Sequence, residues 1–406
     1  MEDDHAAFRA EVRSFLDSHA ELRKGTDADW TRGVHSDDPL VARAVLQRCR
    51  EWQRTLYDNG WAAIAWPKEF GGRGGTIAEM LVFEEEAARY DVTNGFFGVS
   101  QSLVGPPIML HGTPEQQKRY LPGLLRGEQL WCQLFSEPGA GSDLAALATR
   151  AERDGDEFVV NGQKVWTSEA HNADLGILIA RTDPQAPKHR GITFFIVDMH
   201  SVGVEVRPLR QATGSSHFNE VFLSDVRIPA ENVVGELNGG WAVTRTVMSS
   251  ESSMIGGFGA TDPANCAALL GLARSHGRTG GPVFRQELAE AWIRDQIQRH
   301  LGSRFKTYLT SGRGVPPDPS LLKNVFTHAN AQRAEAALGI EGPAGMLSGG
   351  DAPEGGLWQT YVMSQFASRI GGGTNEVHRN MIAERSLGLP RDDHGDRDRP
   401  WSETAR

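Results

Sequence analysis

Apolar positions divide the chain into three zones, marked by a change of period. Up to about residue 130 the spacing is helical: Phe8, Val12, Phe15 and Leu16 stand at i, i+4, i+7 and i+8, one apolar stripe of a surface helix. A GGRGG break at 71–75 precedes Thr76 and Glu79 at capping-box spacing, which predicts a helix over IAEMLVFEEEAARY. Thr113-Pro114 with Gln116 repeats that logic, with Thr as cap and Pro at the first helical position. From 131 to 235 the period drops to two. EFVV-NG-QKVW (157–166) predicts a hairpin closed by Asn161-Gly162, and ITFFIV (192–197) predicts a short buried strand. GVEVRPL and EVFLSDVRI alternate more cleanly. Helical spacing returns in WAVTRTVMSSESS, RQELAEAWIRDQIQRHL and LLKNVFTHANAQRAEAAL, the last introduced by Asp318-Pro319. A final helix is predicted after Gly371-Gly372-Gly373-Thr374.

These zones make an α+β chain. They predict an N-terminal helical domain over 1–130, a central β domain, barrel-like, over 131–235, and a C-terminal helical bundle over 236–390. Residues 391–406 are charged and nearly free of aliphatics, which predicts a flexible tail.

Composition narrows the function classes. With 39% hydrophobic and 23% charged residues the chain is ordinary globular material, and a net charge of −10 argues against a sequence-independent nucleic-acid binder. Cys49, Cys132 and Cys266 share no metal-ligand spacing, so no metal site is predicted. They are too few for a disulfide framework and fit a reducing compartment. The opening MEDDHAAFRAEV lacks the basic-then-apolar plan of a signal peptide. No apolar run approaches the roughly 18 residues of a membrane span. The expected location is cytoplasmic.

Four stretches could carry chemistry. Ser136-Glu-Pro-Gly-Ala-Gly141-Ser142-Asp143 offers glycines, free amides and two hydroxyls to a pyrophosphate or heteroaromatic edge; alone, it also fits a tight turn. Lys164-Val165-Trp166-Thr167-Ser168 sets a tryptophan and two hydroxyls together, suited to stacking on a planar cofactor and bonding its ring nitrogens. Alone, a buried tryptophan at a strand end is more often structural. Gly371-Gly372-Gly373-Thr374-Asn375-Glu376 runs into a helix, either an anion site or flexible punctuation. Glu251, in VMSSESSM, has small uncharged neighbours; on the surface it is unremarkable, but facing a cavity its pKa would rise.

Together with AWPKEFGGRGG (65–75), GTPEQQKRYLPGLLRGE (112–128) and FNEVFLSDVRIPAENVVGELNGGW (218–241), these stretches resemble, in order and spacing, an acyl-CoA dehydrogenase of the bacterial lipid- and sterol-degradation type. The resemblance covers about residues 5 to 390. It implies FAD held between the β domain and the C-terminal bundle. Phe135 and Ser136 would meet the flavin ring, Ser142 a phosphate, Trp166 the ring face and Ser168 the N5 region, with Gly141 and Thr167 lining the same site. Thr374 and Glu376 would contact the dinucleotide. Arg278, in HGRTGGPVFRQ, would reach the FAD of a neighbouring subunit, implying a homo-oligomer, dimer or tetramer, with shared cofactor sites. An acyl-CoA substrate and an electron-transfer flavoprotein as acceptor complete the implied set, which belongs to fatty-acid β-oxidation chemistry.

Three departures qualify it. Many members carry the catalytic Glu in the glycine loop, where this chain has Gly372, so only a backbone N–H remains there to polarise the thioester carbonyl. A second subset places the Glu ten residues beyond the aromatic that begins the preceding helix; counting from Trp241 this is Glu251. Ser252 stands where that subset usually has Arg, which leaves open a carrier-protein-bound acyl substrate or a flavin oxidase or monooxygenase. MIGGFGATDPAN (254–265) is rich in glycine for a helix and would reshape the acyl pocket. A non-catalytic subunit of a hetero-oligomer is a further alternative, which predicts damaged flavin motifs.

Overall fold

The computed structural model describes residues 5–23, 38–255, 265–311, 318–391 and 398–404. Its helices are α1 (Ala6–His19), α2 (Pro39–Asp58), α3 (Ile77–Ala87), α4 (Gly95–His111), α5 (Pro114–Arg126), α6 (Gly240–Ile255), α7 (Cys266–Ser275), α8 (Pro282–Ser311), α9 (Pro319–Glu341), α10 (Leu357–Ile370) and α11 (Asn375–Met381). Between α5 and α6 run β1 (Trp131–Leu134), β2 (Arg150–Asp154), β3 (Glu157–Ser168), β4 (Leu175–Arg181), β5 (Ile192–Asp198), β6 (Val204–Leu209), β7 (Phe218–Pro229) and β8 (Val233–Val234). The chain therefore has the predicted α+β composition. It divides into two compact units: residues 1–33, 76–92 and 252–390 form one, and residues 34–75, 93–251 and 391–406 form the other.

The first unit is helical. Leu269, Leu272, Ala291, Ala334, Ala337, Ile340, Trp358 and Tyr361, from α7 to α10, make its core. Alanines on α9 let neighbouring helices approach closely. Asp318 caps α9 by accepting from the Ser320 amide at 2.9 Å, and Pro319 takes the first position as predicted. The stripe of α1 buries Val12, Phe15 and Leu16. Beside Leu16 on the same face, Arg13 and Arg9 grip Glu86 of α3, with Arg13 Nε 2.8 Å from the carboxylate. Thr76 and Glu79 form the predicted capping box of α3.

The second unit is built on an eight-stranded mixed sheet ordered β6-β7-β3-β2-β4-β5-β8, with β1 parallel to β4. Period-two alternation sorts β4 and β5 between two cores. Ile177, Ile179, Phe194 and Ile196 face Leu103, Val104 and Ile108 of α4, Leu121 and Leu124 of α5, and Val243 and Val247 of α6. Leu178, Ala180, Phe195 and Val197 face Phe158, Val160 and Val221. Thr113 and Gln116 close the predicted capping box of α5.

The predicted Asn-Gly hairpin is wrong. Residues 157–168 form one continuous strand, and the turn lies earlier, at Gly155 with φ 62°. Asn161 and Gly162 sit instead at a register break in the β3–β7 ladder. The Asn161 side chain donates to Asp225 Oδ1 at 2.9 Å and accepts from the Asp225 amide at 3.0 Å. A Cβ on Gly162 would lie 2.3 Å from Thr149 Oγ1, so the glycine serves close strand packing rather than a turn.

The C-terminal segment also differs from expectation. Within 398–404, Trp401 is 6% exposed, its Nε1 donates to the Ala146 carbonyl at 3.2 Å, and the Arg181 guanidinium lies 4.7 Å from its ring. Amides of Trp401 and Ser402 donate to the carbonyls of Ala186 and Pro184 at 3.0 Å. One tryptophan outweighs the absence of aliphatics around it, because an aromatic of that size buries 150–250 Å² or so.

Candidate active site

In the sheet-bearing unit, the loop after β1 and the end of β3 lie side by side. Glu137 and Ala140 bond to each other through both amides at 3.0 Å, closing a tight loop over Pro138 and Gly139. The Glu137 carboxylate is then turned inward. It accepts from Lys164 Nζ at 2.8 Å and from the amides of Ala148 and Thr149 at 2.7 and 2.9 Å. Lys164 is fully buried and also donates to the Phe135 carbonyl at 3.0 Å. Burial pushes the Glu137 carboxyl up, but Lys164 and the amides outweigh it and leave it below its usual range. Burial holds the Lys164 ammonium below its ordinary value, against the pull of Glu137. The Val165 amide donates to the Ser136 carbonyl at 2.9 Å, so the loop is stitched to the strand on both sides.

Beyond this anchor the candidate ligand groups diverge. Phe135 is buried and meets Phe194 edge-on at 6.0 Å, while Ser136 is half-buried. Gly141 and Ser142 are exposed, and space around Gly141 is open. Trp166 is 61% exposed rather than a buried strand-end residue, and its φ of 60° lies in the left-handed region that side chains rarely adopt. It stands at the second register break of β3, between Lys164 and Thr167, with Phe218 edge-on at 6.0 Å. Thr167 is buried and its hydroxyl has no partner among the described residues; Ser168 is half-buried. Glu169 follows, also at positive φ, and burial pushes its carboxyl up, against the Asn172 side chain that donates to it.

In the helical unit, Gly371–Thr374 link α10 to α11. Gly372 and Gly373 have φ of 63° and 89°, a conformation suited to glycine, so a side chain at 372 would be strained. The Lys323 ammonium donates to the carbonyls of Gly371 and Gly373, and His378 Nε2 lies 3.0 Å from the Gly372 carbonyl. Burial pushes the His378 imidazole below its usual value, so it holds the carbonyl as a neutral donor. Thr374 caps α11 by accepting from the Val377 amide at 3.2 Å. Glu376 is exposed; its own amide, then the Thr374 hydroxyl, hold its carboxyl below the usual range. Arg278 is exposed between α7 and α8, its guanidinium 5.4 Å from the Phe284 ring.

Glu251 falls within α6, seven residues after Thr244 and four after Val247, both fully buried. Its side chain, that of Ser252, and residues 256–264 lie outside the described residues. Among the described residues no group of three or more His, Cys, Asp or Glu could hold a metal ion, and no helix is long and apolar enough to cross a membrane.

Comparison with known proteins decides the family. The acyl-CoA dehydrogenase N-terminal, middle and C-terminal domains match residues 2–128, 132–226 and 238–387 in that order. Acyl-CoA dehydrogenase IpdE1 of Mycobacterium tuberculosis is 37% identical over 97% of this chain and 100% of its own length. The chain belongs to the acyl-CoA dehydrogenase family. Among solved structures of acyl-CoA dehydrogenases, the Tcur3481-Tcur3483 steroid ACAD is 34% identical with a TM-score of 0.79, covering 95% of this chain and 98% of that one. The ChsE4-ChsE5 complex from Mycobacterium tuberculosis is 29% identical with a TM-score of 0.73, covering 97% and 99%. This acyl-CoA dehydrogenase is thus an oxidoreductase.

Sequence reasoning missed the residues that hold the two loops. Glu137 and Lys164 lay inside the stretches it singled out, but each stands among other polar residues that hid its role. Lys323, in LLKNVFTHAN, and His378 gave none, because their partners are backbone carbonyls.

Proposed function

We propose that this acyl-CoA dehydrogenase binds FAD and converts an acyl-CoA to the trans-2-enoyl-CoA, with Glu251 removing the α-proton. The observation that carries it is the glycine loop: all three carbonyls of Gly371–Gly373 are taken by buried donors, leaving the Gly372 N–H for a thioester carbonyl. The residues present fit the cofactor. An exposed Trp166 in a strained conformation and the orphaned Thr167 hydroxyl beside it suit a planar ring with polar edges. Ser142, Arg278, Thr374 and Glu376 would hold its phosphates and ribityl chain, Arg278 from a neighbouring subunit. FAD, when bound, supplies the hydride acceptor for the β-hydrogen and passes the electrons to an electron-transfer flavoprotein. An α-thioester proton is weakly acidic, so its removal needs a positioned base and a donor for the developing enolate oxygen. Glu251 falls on α6, and a carboxylate desolvated by a bound acyl chain is a stronger base. With no carboxylate at Gly372, no rival base stands in the loop.

The steroid ACAD among the structural relatives favours a polycyclic acyl chain. Buried, unpaired Cys49 and Cys132 favour the cytoplasm. A second reading, a hetero-oligomer in place of a homotetramer, draws support from the pairing of two proteins in the ChsE4-ChsE5 complex. Anaerobic bleaching of the flavin by straight, branched and polycyclic acyl-CoAs tests the activity. Glu251→Gln should retain FAD and bleach at least 10³-fold more slowly, in the upper half of the range for general-base loss. Bleaching at the unmutated rate overturns the assignment.

A further inference from the structure

Three successive carbonyls before α11 are turned into the protein. Lys323, on α9, donates to those of Gly371 and Gly373, and His378 takes the one between them. Both side chains are 2% exposed. In a trans peptide the N–H lies on the edge opposite the C=O. The N–H groups of Gly372, Gly373 and Thr374 therefore point away from Lys323 and His378, and none finds an acceptor among the described residues.

The charge matters as well as the direction. A cation on a carbonyl oxygen draws electron density through the conjugated amide and strengthens the N–H of that same peptide as a donor. The C=O of Gly371 and the N–H of Gly372 belong to one peptide. We infer that Lys323 is a positioning residue for the dehydrogenation: it fixes the Gly372 N–H outward and polarises it toward the thioester carbonyl. This rests on the reading that the carbonyl sits on that N–H. As the α-proton leaves, negative charge grows on the carbonyl oxygen, and the buried ammonium stabilises it through one peptide without touching substrate. His378 holds the next peptide in line and adds direction without charge. A neutral donor at 323 would keep the loop's shape and lose this stabilisation.

The test uses the FAD-loaded full chain. The probe is a carbonyl-¹³C acyl-CoA, the one that bleaches the unmutated enzyme fastest. In a Glu251→Gln background, which leaves the thioester unreacted, its carbonyl stretch should fall in frequency on binding. Adding Lys323→Met should abolish most of that fall. With Glu251 restored, Lys323→Met should slow bleaching about 10- to 100-fold, below the loss of a whole donor, with KM little changed. Lys323→Gln, which keeps a neutral donor near the loop, should fold where Met does not and lose most of the frequency shift too. An undiminished shift in either variant overturns the inference while leaving the Gly372 contact standing. No shift with Lys323 intact overturns that contact, and the inference with it.

Discussion

The Lys164 ammonium lies 2.8 Å from the Glu137 carboxylate, with side-chain exposures of 0% and 8%. This pair ties the loop carrying Ser136 and Ser142 to the strand carrying Trp166 and Ser168. Removing one partner leaves an uncompensated buried charge, typically a loss of about 3–5 kcal/mol. We expect Lys164→Met to lose about that much in urea unfolding. The double variant Lys164→Met/Glu137→Leu should recover part of it, because no lone charge remains. A single variant as stable as the parent would show that the pair does not anchor the loop.

Trp166 carries backbone strain and, on our reading, a ligand contact. The left-handed conformation costs a non-glycine residue about 1–2 kcal/mol, whereas glycine adopts it freely at an entropic cost of about 0.5–1 kcal/mol. Trp166→Gly should therefore leave apoprotein stability within about 1 kcal/mol of the parent. FAD affinity, followed by flavin fluorescence, should drop about 5- to 150-fold, since stacking on an aromatic face is worth about 1–3 kcal/mol. Undiminished affinity would remove Trp166 from the cofactor site.

Acid sensitivity should be traceable to Glu86. Arg13 holds its carboxyl down to about 2, with Arg9 and Arg89 assisting against the cost of burial. A carboxyl lowered on folding stabilises the protein above its unfolded pKa, near 4.5, and that stability disappears as pH falls toward the folded value. Glu86→Gln should cost about 2 kcal/mol at pH 7, allowing for solvent screening of the half-exposed arginines. The gap between variant and parent should close between roughly pH 4.5 and 2. A gap that persists at low pH would assign the loss to packing.

Much of the fold was legible because its signals are local. Thr76 with Glu79 and Thr113 with Gln116 declare helix starts within four residues, and β5 is a continuous apolar run. Asn161-Gly162 misled because the dipeptide that favours a turn also suits a strand crowded by Thr149 and bonded to Asp225, and only the neighbouring strands reveal which applies. Of the candidate site, the loops were visible in their glycines and hydroxyls. What holds them was not: Lys323 and Gly371 are 48 residues apart, and a carbonyl partner leaves no mark in the side-chain pattern.

The docking of Trp401 also bears on synthesis. The tryptophan closes over Ala146 across 255 residues of chain. At ribosomal rates of about 5–20 residues per second, the sheet-bearing unit waits on the order of 10 to 50 s for Trp401. Until then the Arg181 guanidinium and the Ala146 carbonyl remain uncovered on the nascent chain. The sheet can assemble during translation, but that face is sealed only after residues 252–390 of the helical unit have also been made.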